Sequence, residues 1–528
     1  MDVAKPGPGT EIELKLQVRV EDLPRLRDSP LLSAPGTAAE VTRTLDSVYF
    51  DTTDRRLQRQ NTTLRVRKQG RRYVQTIKSA GRDRGGAFHR DEWESPLASA
   101  VPDLAGVSAE AANGHLGRLK TSELRPVFAS HIKRTIRRIG NGADSSGAAI
   151  EIAFDEGEIR TPDGAALPVS EVELELKRGE PRALYDLALA LSEIAPLRIE
   201  SRSKAERGYA LVDDEGKMPV HAAPIELTPD MTVECALGII IRRCLDHLAS
   251  NDALVLQGQD AVALHQMRVA LRRMRSALQM FRPLLPAHQY GFFVAEVKWL
   301  AGTLGEGREW DVFLGELVKP MRSFFGQDAS IAALERAARE QRTLAYARAS
   351  EAIASARYTT LLLKIGGWLE GKEWRQQPIS ERSATLFSAV IELADRLLAK
   401  HRKRALERGQ HFSRQSAERR HELRIALKKL RYATEFFRSL YDRKSAQRYL
   451  HRLTDLQSGL GHLNDVASAT ALITQLKGDG LAAGSSEWSD AAGKVIGWHA
   501  RDVREFEPRL RKDWKTFAKA APFWSRPA

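Results

Sequence analysis

The chain has only two cysteines in 528 residues, Cys235 and Cys244. Their spacing fits no metal or redox motif, which excludes a disulfide framework and makes a reducing cytoplasm the expected compartment. No long uncharged apolar run occurs, so no transmembrane helix is expected. The opening Met1-Asp2-Val3-Ala4-Lys5-Pro6-Gly7 lacks the apolar core of a signal peptide. What is present is a globular composition, 42% hydrophobic, in a chain too long for one core, so two or more domains are expected.

Charge is unevenly placed. Residues 1–214 hold 33 Lys and Arg against 33 Asp and Glu, so the whole excess of +14 falls in 215–528. That half calls for an anionic partner: nucleic acid, membrane surface or polyphosphate.

Two short stretches in the balanced half nearly repeat each other, Glu11-Ile12-Glu13-Leu14-Lys15 and Glu173-Leu174-Glu175-Leu176-Lys177. Each alternates with period 2, as a β-strand does, with aliphatics on one face and two carboxylates plus an ammonium on the other. Either alone reads as an amphipathic strand with a solvated face. If the two lie side by side, four carboxylates converge and repel one another unless a hard cation joins them. Further strands are expected at 41–50, 63–67, 73–79, 89–94, 131–139, 150–154 and 201–204, with helices at 21–33 and 184–194. Antiparallel strands charged on one face suggest a barrel with a polar lumen. Its inventory is Lys15, Arg65, Arg67, Lys78, Arg134, Lys177 and Lys204 against Glu11, Glu13, Glu92, Glu94, Glu151, Asp155, Glu173 and Glu175. So many charges need a matching ligand. A phosphate chain bound with Mg²⁺ or Mn²⁺ fits, cations on its oxygens and carboxylates on the metal.

Taken as an ordered set with Tyr49-Phe50-Asp51, Arg90-x-Glu92-x-Glu94, Glu151-x3-Asp155 and Ser203-Lys204, these residues resemble the CYTH domain of the triphosphate tunnel metalloenzymes. The resemblance implies an eight-stranded tunnel that hydrolyses short phosphate chains with a divalent metal. It implies metal on Glu173 and Glu175, with Asp155 nearby, and a second ion near Glu11 and Glu13 that activates water. It implies phosphate binding by Arg65, Arg67, Lys78, Arg134, Lys177 and Lys204, and a catalytic contact for Lys15. The site is thereby expected to lie wholly within 1–214.

Residues 215–227 read as a linker, with Gly216, Pro219 and Pro224. Residues 228–528 read as helical almost throughout, with helices at 228–250, 258–282, 287–304, 308–322, 329–356, 358–371, 380–408, 416–440, 444–461, 463–477 and 487–507 and a small-residue loop at 478–486. An internal repeat runs through them: His265-x2-Arg268-x3-Arg272-Arg273-x-Arg275 has the spacing of His421-x2-Arg424-x3-Lys428-Lys429-x-Arg431, 156 residues on. Two bundle halves, about 228–378 and 379–528, are expected. Positions i, i+3, i+7 and i+10 share a helix face, so each half offers a basic stripe, with Leu271, Met274 and Leu278 on the apolar face. These helices resemble the CHAD domain, which implies inorganic polyphosphate binding. Arg308, Lys298, His401, Arg402 and Arg404 would extend that surface.

The expected fold is therefore α+β multidomain: an antiparallel β-tunnel followed by a duplicated all-α bundle. The expected function is metal-dependent hydrolysis of inorganic triphosphate with polyphosphate held on the basic half, and an association with polyphosphate granules. The alternatives are a polyphosphate-localised binding protein with little turnover, or a tunnel enzyme acting on thiamine triphosphate or nucleotides. Nucleic acid is the weaker partner, because the stripes lack interleaved aromatics for stacking, and no membrane partner is expected.

Overall fold

Alternation decides the first half of the chain, because a strand with aliphatics behind and charges in front needs a covered back and a filled front. The computed structural model describes residues 10–32, 40–78, 82–84, 87–105, 116, 119–140, 147–213, 218–258, 260–326, 328–478 and 486–525. It divides into two units, residues 1–218 with 354–373, and residues 219–353 with 374–528.

Among the described residues of the first unit, ten strands form one antiparallel sheet. They are β1 (Thr10–Gln17), β2 (Val41–Thr52), β3 (Thr63–Gln69), β4 (Arg72–Lys78), β5 (Arg82–Arg84), β6 (Ala87–Leu97), β7 (Leu124–Ile139), β8 (Ala149–Arg160), β9 (Ala166–Arg178) and β10 (Arg198–Ile199). Their order is β10-β1-β9-β8-β7-β2-β3-β4-β6-β5, and β1 also pairs with β6, Leu14 opposite Ala87. Eight strands thus follow one another in a ring around a tunnel. The short helices are α1 (Leu23–Arg27), α2 (Arg56–Arg59), α3 (Arg182–Ser192) and α4 (Lys204–Val212). The helix expected over 21–33 shrinks to α1 between 3-10 turns, with Pro24 and Pro30 each lacking a donor. The strand expected at 201–204 is a correction: Ser203 caps α4 with a capping box to Glu206, and Lys204 is the first helical residue.

The second unit is helical: α5 (Val233–Gln257), α6 (Ala261–Phe281), α7 (Ala287–Val312), α8 (Lys319–Phe325) and α9 (Ala329–Ala354). Next comes α10 (Ala356–Glu370), and then α11 (Glu381–Ala384), α12 (Val390–Arg408), α13 (Ala417–Phe437), α14 (Arg443–Gly478) and α15 (Ser486–Ala518). The 156-residue offset recurs in these boundaries. α6 and α13 are both 21 residues long, each is followed by a 3-10 turn (Arg282–Leu284, Arg438–Leu440), and the next helices begin at Ala287 and Arg443. Val233 N donates to Ser388 O at 3.0 Å and Val390 N to Met231 O at 2.9 Å, so the opening helices of the two repeats are tied at their N-termini. The helix expected over 308–322 is divided: α7 ends at Val312 and a π-helical stretch, Phe313–Val318, precedes α8 and its Pro320. Those expected at 444–461 and 463–477 are one helix, α14, and the last runs on to Ala518. The small-residue loop expected at 478–486 lies mostly outside the described residues.

α10 departs most from the sequence reading. It comes from the helical half of the chain, yet it belongs to the sheet unit, where Leu363 enters the apolar cluster behind β1, β8 and β9.

α4 is held on the sheet by an absent side chain. A Cβ built on Gly208 would stand 2.2 Å from Phe128 Cε2, in a ring already stacked on Tyr49 at 4.5 Å and edge-on to Tyr209. Gly208→Ala should therefore destabilise the sheet unit by roughly 1–3 kcal/mol, read as a lower unfolding midpoint. An unchanged midpoint would mean the ring has room to move.

A candidate active site in the tunnel

Register places the lumen residues. Across β1 and β9, Glu13 faces Glu175, Lys15 faces Glu173 and Gln17 faces Glu171. Across β8 and β9, Glu151 faces Glu175 and Asp155 faces Glu171. Arg134 on β7 faces Asp155. Tyr49 on β2 faces Arg65 and Ser47 faces Arg67, while Lys78 on β4 faces Glu92 on β6. A cavity of about 540 Å³ results, lined by eight basic and seven acidic side chains. Five of the seven acids gather on β1, β8 and β9, the other two, Glu92 and Glu94, stand on β6, and the arginines are on β2, β3 and β7.

The acidic wall holds a buried network. Lys15 Nζ lies 2.6 Å from Glu173 and 2.8 Å from Glu13. Arg134 makes a two-pronged bond to Asp155, at 2.7 and 2.6 Å, and also donates to Glu173. Lys204 Nζ reaches Asp155 at 2.6 Å, Glu173 at 2.9 Å and Glu171. Glu171 also binds Arg207 at 2.5 Å. Burial opposes the charge on Glu173, but Arg134, Lys15 and Lys204 hold its carboxyl well below the usual range. Burial likewise opposes the Lys15 ammonium, and Glu13 and Glu173 hold its pKa above normal. Asp155, Glu171 and Glu173 each offer one oxygen within 4.8 Å of the others. Such hard donors suit a divalent cation, and the Lys204 ammonium now stands among them as a built-in one. Glu175 binds Lys177 at 2.5 Å toward an exposed end of the strand.

The basic wall differs. Arg65 reaches Glu92 at 3.4 Å, and Lys78 reaches the same carboxylate at 3.0 Å. Arg67 donates to Ser47 Oγ at 3.2 Å and pairs with no carboxylate among the described residues. Burial, with Arg65 and Arg134 nearby, pushes its guanidinium down to about 9. Burial opposes ionisation of Tyr49, yet Arg65, Arg67 and Lys204 lower its pKa. This wall wants an anion.

The tunnel thus brings together Glu13, Lys15, Arg65, Arg67, Lys78, Arg134, Asp155, Glu173, Glu175, Lys177 and Lys204. The side chains of Glu11 and Arg90 lie outside the described residues. The sequence reading missed Glu171, Arg43 and Tyr49 as site residues. Glu171 shares the parity of Glu173 and Glu175, so the alternation extended one step earlier would have found it.

In the helical unit, the first stripe gathers around α6 and α7. Arg268 Nη1 donates to Ala301 O at 2.8 Å and lies against Gly305. Burial, with Arg308, Arg272 and Arg268, pushes His265 down to about 4. Burial and Arg272 lower Arg268 to about 10. Arg275 is exposed. Arg273 is a correction: it is 7% exposed, bound to Glu435 at 3.1 Å and set 5.5 Å over the Phe436 ring, so it is part of the core. In the second stripe His421 is exposed, and Arg424, Lys428 and Lys429 are half-buried. Arg431 binds Glu435 at 2.7 Å and keeps its side chain partly exposed. His401 is buried, and Arg402 is bound to Ala520 O. Arg272 donates to Tyr432 on α13 at 3.2 Å, so the stripe helices meet. No helix among the described residues is long and apolar enough to cross a membrane.

Residues 9–209 match the family model of the CYTH domain and residues 239–474 that of the CHAD domain. Over 168 residues the chain is 30% identical to the inorganic triphosphatase of Haemophilus influenzae, a match covering 32% of this chain and 46% of that protein. The match thus spans about half the length of that relative. The crystal structure of the CHAD domain from the plant Ricinus communis is similar with a TM-score of 0.50 and 27% identity, over 58% of this chain and 99% of that one.

The Arg67 pKa sets a sign. Its folded value lies below its unfolded one, so below pH 9 the buried charge costs stability, and that cost is relieved as pH rises through about 9. Arg67→Gln should therefore raise the melting temperature of the ligand-free protein at pH 7 while shrinking the rise produced by triphosphate. A variant that melts lower without ligand, yet keeps the full triphosphate shift, would make Arg67 a structural cation.

Proposed function

As a CYTH domain followed by a CHAD domain, the chain is, we propose, a metal-dependent inorganic triphosphatase whose helical half holds polyphosphate. The observation that carries the reading is the division of the tunnel into an acidic wall and a basic wall around one cavity. The lining is nearly neutral as it stands. A phosphate chain entering alone would leave it strongly negative, and divalent cations on the acidic wall restore the balance.

In this reading Glu13, Glu173 and Glu175, with Asp155 behind them, would hold Mg²⁺ or Mn²⁺. The ion supplies Lewis-acid polarisation of the phosphate chain. Arg65, Arg67 and Lys78 grip phosphate oxygens and orient the chain along the basic wall. Arg134 and Lys204, fixed by Asp155, stand where charge grows on the leaving phosphate and stabilise it without reorganising. Lys15, pinned between Glu13 and Glu173, is always charged and keeps the carboxylates from repelling each other.

An inorganic substrate is favoured over a nucleotide. The lining has one aromatic, Tyr49, and its ring is already stacked on Phe128. No ring among the described residues is left in the lumen for a base to stack on.

For the helical half, Arg272 and Arg308 lower the pKa of Arg268, and all three lower that of His265, so cations gather here, with Glu316 on Arg308 and Glu309 near Arg268 as the facing acids. The contact of Arg272 with Tyr432 brings the second stripe helix beside the first, so a long chain can span both stripes and gain from effective concentration. The proposal places the protein in the cytoplasm, where a polyphosphate granule would recruit it.

Glu173→Gln should lower triphosphate turnover roughly 100-fold or more, and a chelator should abolish it. Phosphate release that survives either treatment would sink the hydrolase reading. For the stripe, Arg272→Gln with Arg308→Gln spares Arg268, which is wedged on Gly305. The salt slope of long-chain polyphosphate binding should fall by about two, with triphosphate turnover unchanged. An unaltered slope in the folded double variant would reduce the stripe to a solvated helix face.

A further inference from the structure

We propose that α10, carried by the sequence in the middle of the helical half, is the outer layer of the tunnel and positions its acidic wall. The inference rests on the metal-site reading above. Strand alternation sets the starting point: behind Glu13 and Lys15 lies Leu14, behind Glu173 and Glu175 lies Leu174, and behind Glu151 lies Ile152. All three are fully buried, and they share one apolar cluster with Leu184, Tyr185, Leu187 and Leu191 of α3 and with Leu363 of α10.

α10 grips this layer at four points. Leu363 is 0% exposed within the cluster. Gly367 comes so close to α3 that a Cβ there would stand 3.2 Å from Tyr185 Cβ. Glu373, just past the helix, binds Arg182 at 3.1 Å. Thr359 Oγ1 donates to Leu197 O at 2.7 Å.

The Thr359 bond leads straight to the site. The two residues after Leu197 form β10 and pair with Leu16 and Gln17 of β1. Glu200 N then donates to Lys15 O at 2.9 Å. The backbone that carries Lys15 is thus bound to a segment that α10 holds directly. Close-packed interiors transmit displacement instead of absorbing it, and divalent ions penalise carboxylates that miss their geometry. Residues 1–214, which the sequence reading expected to hold the whole site, lack this layer.

The test uses the full chain. Mn²⁺ binding without substrate is measured by titration calorimetry on wild type, Leu363→Ala, Leu363→Met and Thr359→Val, and triphosphate turnover is titrated with Mn²⁺ on the same preparations. Leu363→Ala should weaken Mn²⁺ affinity about ten-fold and shift the activation midpoint to match, with Leu363→Met close to wild type and long-chain polyphosphate binding unchanged. If Leu363→Ala does not fold, Thr359→Val, which removes one hydrogen bond, is judged by the same shift in direction. Equal Mn²⁺ affinity in wild type and the folded variants overturns the positioning role, as does a loss of turnover at an unmoved metal midpoint. A wild type that binds Mn²⁺ but releases no phosphate overturns the hydrolase reading alone.

Discussion

One carboxylate, Glu173, is shared by cations from three elements: Lys15 of β1, Arg134 of β7 and Lys204 at the head of α4. A buried carboxylate is costly unless paired, and removing one partner of a buried pair costs about 3–5 kcal/mol. The three cations in turn need Asp155, Glu171 and Glu13, so the bonds close into a network spanning five elements. Because Lys204 is the first residue of α4, its ammonium adds to the positive end of a helix. Only the carboxylates make that placement tolerable, and they thereby fix where α4 begins and hold Ser203 and Ala205 in the lining.

Much of the tunnel was legible because its physics is local. Period-2 alternation gives face and parity for each strand, and the Glu-x-Glu-x-Lys pair found β1 and β9 before their pairing was known. Glu171 has the same parity but lies outside the repeated five residues, so the repeat does not mark it. Lys204 was placed correctly in the lumen but on the wrong element. Ser203 and Glu206 form a capping box, a helix-start signal that outweighs a short apparent alternation. Arg273 was readable too: eight positions beyond His265 it falls about 80° off the stripe on a helix of 3.6 residues per turn. The membership of α10 was not legible. Its apolar face says that it must be covered, and no local pattern says by which core.

The repeat copies the fold more faithfully than the chemistry. Glu435, which neutralises both Arg273 and Arg431, has Gln279 as its counterpart 156 residues earlier, and Tyr432 has Ser276. The second copy thus supplies the acid and the phenol that tie the two stripe helices together, and the first leaves Arg275 exposed. The second stripe helix thus braces the first.

The two walls of the tunnel differ in charge, and the charge balance links them. On the acidic wall each carboxylate described here already has a protein cation, so a metal ion must compete with Lys15 or Lys204 for the same oxygens. On the basic wall Arg67 is half-buried, with a hydroxyl as its hydrogen-bond partner, so an anion would gain there what the fold has left unsatisfied. A phosphate chain that draws Lys204 toward its oxygens also frees carboxylate oxygens of Asp155, Glu171 and Glu173. In the proposed function the same lysine, counter-ion to these three acids, would turn to the phosphate chain. Metal and phosphate would then each make room for the other, a mutual dependence that follows from one ammonium held among three acids.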